Sequence, residues 1–198
     1  MAKVKLTKNE LKKEKDSLKR FQRYLPTLIL KKQQLQMVIR QVEAKVREVE
    51  SERNKLQSQL DTWIPVFGEE AGIGDLVKIQ YISTDTGNIA GVDIPVFQGL
   101  EFQDILYDLF SKPLWIDRGI DMIKSIAVID AEIETLRQQI LLLGKELRIT
   151  TQRVNLFEKV KIPETRENIR IIQIYLGDQQ TAAVVRGKMA KNKIEKVK

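Results

Sequence analysis

The chain has 198 residues, 31% of them charged and 42% apolar, and contains neither cysteine nor histidine. That inventory excludes disulfides, thiolate nucleophiles, Cys/His zinc sites and imidazole acid-base chemistry. The formal net charge of +7 conceals a division: residues 61–117 hold ten acidic side chains against only Lys78 and Lys112, so the remainder is strongly basic, above all at the two termini.

Thr7-Lys8-Asn9-Glu10 fits a capping box, in which hydroxyl and carboxylate satisfy the orphan amides of a helix start. The helix it opens is predicted to run to about Trp63. Leu28, Leu35, Val42, Val49, Leu56 and Trp63 recur every seven residues, with a companion row of Ile39, Val46 and Leu60. Such a double row is a coiled-coil seam, since a repeat near 3.5 residues keeps one stripe turned toward a partner helix. Lys32 and Arg53 interrupt the companion row and can carry their charges past the seam on long stems. Pro26 lies inside this helix and predicts a bend around Leu25-Pro26.

The centre reads differently. Leu76–Ile82 and Gly91–Phe97 are strand-like, separated by a polar stretch with Asp85, Gly87 and Asn88, which predicts a β-hairpin closed by a loop rather than a tight two-residue turn.

A second long helix is predicted to start near Ser111-Lys112-Pro113, where proline is tolerated because first-turn amides lack intrahelical partners. Its rows are Ile133, Ile140, Leu147 and Val154, paired with Leu136, Leu143 and Phe157. The seam reappears as Ile162, Ile169 and Leu176. The five-residue step from Phe157 to Ile162 fits neither a three nor a four spacing, so a kink or local break is expected beside Pro163. At about 1.5 Å per residue, helices over 7–63 and 114–190 would span roughly 85 and 115 Å, leaving an overhang of about 30 Å. Ile171, Ile172, Ile174, Tyr175 and Leu176 are apolar on more than one side and are placed in that overhang, with Ile171, Ile174 and Tyr175 as partner contacts.

The expected fold is therefore mostly α: a long antiparallel two-helix coiled coil with a small β-hairpin at or near the end where the helices connect. The expected domains are residues 1–64, a connecting region 65–112 with its hairpin at about 76–97, and residues 113–198.

Several motifs resolve to plain structure. The terminal lysines alternate with Glu10, Glu14 and Asp16 and lack an aromatic platform, which favours a solvated helix face over a nucleic-acid arm. Ala71-Gly72-Ile73-Gly74-Asp75 lacks a third glycine and precedes a strand, and Gly187-Lys188 is followed by Met189, so neither is a phosphate loop. Glu69 and Glu70 read as a solvated loop rather than an acid-base pair. No apolar run approaches the roughly 20 residues of a membrane span, so a cytoplasmic protein without direct membrane insertion is expected.

Asn88-Ile89-Ala90-Gly91-Val92-Asp93-Ile94-Pro95, together with Arg153-Val154-Asn155-Leu156-Phe157-Glu158 and the following Ile162-Pro163, resembles the D subunit of the V-type/A-type rotary ATPases. Within these stretches Asn88, Gly91, Pro95, Arg153, Val154, Asn155, Glu158 and Pro163 carry the likeness. Thr7–Leu11, the block from Leu28 through Lys31-Lys32 to Leu35, and the basic tail with Lys188, Lys191 and Lys193 extend it over most of the chain. Leu25-Pro26 and Gly177-Asp178-Gln179-Gln180 depart from the family pattern and point to a divergent bacterial branch. The resemblance implies a central stalk without catalytic, cofactor or metal residues. It implies an F subunit along the stalk's side, the alternating A and B subunits around one end, and a C subunit (also called d) at the other, in the soluble sector peripheral to the membrane. A prefoldin-like chaperone, which also places a hairpin between two coiled-coil helices, is the alternative.

Overall fold

A computed structural model describes residues 4–61, 76–108, 112–113 and 115–197. The described elements are α1 (Lys8–Asp61), β1 (Ile79–Ile89), β2 (Val92–Phe102), α2 (Ile116–Asn155), a π-helical turn (Leu156–Lys161) and α3 (Ile162–Val197). Trp63, Glu69, Glu70 and the Ala71–Asp75 stretch lie outside the described residues, as does Ser111. The chain divides into two units: residues 1–32 with 149–198, here the terminal unit, and residues 33–148, the hairpin unit. Both termini belong to the terminal unit.

The start of α1 is capped as its sequence requires, with the Glu10 amide donating to the Thr7 hydroxyl at 3.2 Å. The Glu10 carboxylate turns outward instead, 3.9 Å from Lys13 Nζ. The helix continues through Pro26, and the Thr27 hydroxyl next to it donates to the Tyr24 carbonyl at 2.8 Å. Helix α2 begins at Ile116, three residues beyond Pro113, whose carbonyl accepts from the Ile116 amide at 3.1 Å. Proline therefore sits in the turn that leads into the helix.

In the hairpin unit α1 and α2 pack antiparallel. Val46 and Val49 form a buried cluster with Ile133 and Leu136, flanked by Val42, Ile129 and Ile140. Earlier in α1, Leu35 meets Leu143, which lies later in α2, with Val38, Ile39 and Leu147 around them. Three ion pairs between the helices fix the same register: Lys45 to Glu132 at 3.1 Å, Arg137 to Glu50 at 2.9 Å and Arg53 to Asp130 at 2.5 Å. Exposed pairs of this kind stabilise weakly, but opposite charges in the correct register disfavour a slipped seam.

The hairpin lies along this pair of helices. Its base is near the start of α2, where Ile116 and Ile120 are buried against Leu76, Val77, Tyr107 and Trp115. Its far end reaches the part of the seam formed by Leu35 and Leu143, where Ile94 is buried with them while Ile89, Ala90 and Val92 pack around them. Strands β1 and β2 pair antiparallel from Ile79↔Phe102 to Ile89↔Val92, with irregularities between Ile79 and Tyr81 and between Ser83 and Thr84.

The turn corrects the sequence expectation. Asp85, Gly87 and Asn88 are inside β1, paired with Val96, Ile94 and Asp93. The reversal is a tight two-residue turn at Ala90-Gly91, both at positive φ (53° and 76°), as a type I′ turn demands. Two forces, one local and one from distant residues, select it. The Asn88 side chain accepts from the Gly91 amide at 3.1 Å and donates to Asp93 at 2.6 Å. Ala90 also packs on the Leu35–Leu143 cluster, which offsets the cost of a left-handed alanine.

In the terminal unit, α1 again runs antiparallel to its partner. Phe21 and Phe157 meet with ring centroids 5.3 Å apart, and the Asn168 side chain donates to Glu14 at 3.1 Å. Val154, Ile162 and Ile172 are buried. The complete burial of Ile172 overturns the expected position of the overhang. Asn168, four residues before Ile172, bonds Glu14 in the early part of α1, and the side chains from Gly177 to Glu195 are exposed apart from half-buried Ala182. Where the sequence predicts a kink or a local break near Pro163, the chain does not break: the helix is continuous and carries one π-helical turn, closed by the Ile162 amide donating to the Phe157 carbonyl five residues back.

Candidate interaction surfaces

The arrangement is a set of packed seams with solvent-facing flanks, and its chemistry follows from which residues each side presents. Of the seam residues read from the sequence, Leu35, Val46, Val49, Ile133, Leu136, Leu143 and Val154 are buried. Leu28, Ile39, Val42, Leu56, Leu60, Ile140, Leu147 and Phe157 are half-buried. A two-helix seam has only one covered side, so half-burial is a common outcome, and a third element deepens the burial. Leu35 and Leu143 obtain that element from the hairpin.

The motif residues fall into two groups. Asn88, Gly91 and Pro95 build the hairpin end: Asn88 holds the turn, and the Pro95 carbonyl accepts a 2.5 Å hydrogen bond from Nε2 of buried Gln139 on α2. This latch between strand and helix joins residues 44 apart in sequence. Arg153, Asn155, Glu158 and Pro163 surround buried Val154 and Ile162 at the π turn, and all four are exposed. Val154 thus belongs to packing, whereas its polar neighbours face outward.

Ile171, Ile174 and Tyr175 are 42%, 52% and 39% exposed, on the outer side of a helix whose inner side buries Ile172. Further along α3, Val184, Val185, Met189 and Ile194 are exposed among Arg186, Lys188, Lys191 and Lys193. On the hairpin, Ile79, Tyr81 and Ile82 are exposed on β1, while Lys124 of α2 lies over the Phe102 ring of β2 at 5.5 Å. A lysine stripe of Lys8, Lys12, Lys15 and Lys19 follows one side of α1.

Charge perturbations mark fastening points. Asp130 raises the Arg53 guanidinium through its hydrogen bond and charge, and Arg170 lowers Glu167 in the same way. The Tyr107 hydroxyl donates to Asp117 in the first turn of α2, and that bond raises its pKa. A cleft of about 480 Å³ beside the seam is lined by Glu50, Arg53, Asn54, Asp130, Glu134 and Arg137, most of which already serve the ion pairs between helices. Among the described residues no group of three or more acidic side chains could hold a metal ion. No described helix is long and apolar enough to cross a membrane.

Residues 10–192 match the family model for the D subunit of ATP synthase. The V-type ATP synthase D subunit of Borreliella burgdorferi is 51% identical over 196 residues, covering 99% of this chain and 97% of its own length. This chain belongs to the ATP synthase D-subunit family. More distant members agree: the V-type ATP synthase D subunit of Chlamydia pneumoniae is 35% identical, covering 97% of this chain and 93% of its own length, and that of Chlamydia muridarum is 34% identical. Membership of this family replaces the prefoldin-like alternative. It also spans both motif groups, since the matched residues run from the first turn of α1 to the basic part of α3.

Sequence reading missed three features that this surface depends on. The Gln139 latch has no local signature, because a buried glutamine amid polar helix residues looks solvated. The tight turn was hidden by alanine at a position that usually carries Asn, Asp or Gly. The Phe21–Phe157 contact joins residues in different helices, although Phe21 stands seven residues before Leu28 and so continues the first heptad row.

Proposed function

We propose that this chain is the central rotor shaft of a V-type/A-type ATPase, carrying torque between the catalytic A/B ring and the ion-translocating rotor in the membrane. It is a non-catalytic component, and ATP chemistry takes place on its partners. The carrying observation is the seam: in each unit two antiparallel helices are locked by apolar packing, with cross-helix ion pairs in the hairpin unit and a ring contact in the terminal unit. Paired helices resist twisting better than one helix, and such a member transmits rotation without reacting.

The terminal unit suits insertion into a surrounding ring, because the side chains of α3 from Gly177 to Glu195 are exposed apart from half-buried Ala182 and mix apolar residues with lysines. Ile171, Ile174 and Tyr175 lead into that segment and are assigned to the same contact. The F subunit is assigned to the side of the shaft, and the C subunit to the opposite end, in the soluble sector peripheral to the membrane.

Reconstitution with A, B and F subunits tests the assignment. The expected product is a single assembly containing one copy of this chain, with hydrolysis coupled to ion movement once the membrane sector is added. Truncation after Leu176 is expected to lower the ratio of transport to hydrolysis sharply. The same truncation should shift the melting midpoint of the isolated chain by no more than about 2 °C, because it removes little packed surface. An unchanged coupling ratio, or failure to join the A/B ring, would sink the proposal.

A further inference from the structure

The π turn has a numerical cause. In the terminal unit the inward residues Val154, Phe157, Ile162, Thr165, Ile169 and Ile172 are all buried or half-buried. Their spacings are three, five, three, four and three. Each three or four keeps a helical stripe facing its partner. In an α-helix the five-residue step would carry Ile162 about 140° away from the direction of Phe157. Removing one residue would leave a step of four and a drift of about 40°. The segment therefore holds one residue more than the seam requires, and the π turn absorbs it.

We infer that Leu156–Lys161 is a torsional joint, a turn whose surplus residue lets the helix twist locally between α2 and α3, so that small rotations are taken up there while both seams stay on α1. The supports on either side are firm. Val154 before the turn and Ile162 and Thr165 after it are buried, the Thr165 hydroxyl donates to the Lys161 carbonyl at 2.7 Å, and Asn168 holds Glu14. The turn between them is soft. Phe157 rests on Phe21, but none of the turn's six residues is buried, and Pro163 immediately after it lacks the amide that would tighten the first α turn. Ordinary helix bonding resumes beyond the proline. A π turn is geometrically poorer than an α turn and persists where something holds it, which here is the seam on both sides.

The joint is a property of the isolated full chain, so its test needs no other protein. Hydrogen exchange on the unaltered protein is expected to show the amides of residues 158–162 exchanging at least about tenfold faster than those of 150–155 and 166–172. Equal protection across the three stretches would overturn the inference. Because the chain has no cysteine, nitroxide labels at Gln152→Cys and Arg166→Cys report the rotation directly. Their distance distribution should narrow when Lys159 is deleted and Pro163→Ala restores the missing donor, which leaves a regular α-helix with the seam intact. An unchanged width in that variant, with its helicity retained, would also overturn it. Should the deletion fail to fold, Pro163→Ala alone is expected to slow exchange at residues 158–162, and unchanged exchange there would count against the joint.

Discussion

The two units use the same antiparallel seam and finish it differently. Residues 33–148 carry 19 acidic and 12 basic side chains, whereas residues 1–32 and 149–198 carry eight acidic and 22 basic. In the hairpin unit ion pairs between helices flank the part of the seam with Val46, Val49, Ile133 and Leu136, and a β-hairpin packs over Leu35 and Leu143, which lose all exposure. In the terminal unit no described strand covers the seam, its buried positions include Thr150 and Thr165, and one turn is π-helical. The contrast teaches that heptad spacing creates a seam in both units, whereas the groups that line and flank it depend on the elements packed beside it.

The largest expected effect tests that statement at its strongest point. Leu143→Ala removes a side chain with no exposed surface, wedged between Leu35 and Ile94, and should cost about 2–5 kcal/mol in denaturant unfolding. Val154→Ala in the terminal unit should cost less, because a valine leaves a smaller cavity and the seam there has no roof to hold the cavity open. Equal losses would break the comparison.

A middle-sized effect isolates the roof itself. Gln139→Leu keeps the volume of the side chain but strands the Pro95 carbonyl, at a cost of about 1–3 kcal/mol. Amide exchange should accelerate in residues 86–96 and stay unchanged in residues 154–172. If both stretches respond, the hairpin is coupled to more than its own unit.

The smallest effect is electrostatic and lies where the hairpin base meets α2. The Asp117 hydrogen bond raises the Tyr107 pKa, so the native state holds that proton more tightly than the unfolded chain does. The stability it contributes is fully present below the ordinary tyrosine value of about 10 and is lost as pH rises through the higher native value. Stability curves between pH 9 and 12 should therefore fall more steeply for the native protein than for Tyr107→Phe. Parallel curves would show that this bond does not secure the α2 start.

Much of the fold was legible because its forces are local and periodic. Leu35, Val46, Ile133 and Leu143 announce themselves by spacing alone, since a side chain every 3.5 residues can only line one stripe. The Thr7 cap was equally visible, as its acceptor and donor are three residues apart. The five-residue step before Ile162 flagged an irregularity, although spacing could not tell a kink from a π turn. Features resting on distant partners were silent. Neither Gln139 nor Pro95 carries any mark of the other, and Ala90 adopts positive φ because a cluster from two helices receives its methyl group.

The sequence by itself determined that two long helices would pair antiparallel around a hairpin, and its motif residues identified the family that the full-length relatives then established. Only the tertiary structure decided how the hairpin lies along the coil, where the chain turns, and which stretch of α3 stands uncovered. The physical reason is range. Helix periodicity and capping act over three to seven residues and are written into the chain in order, whereas burial and latching depend on surfaces that meet only after folding.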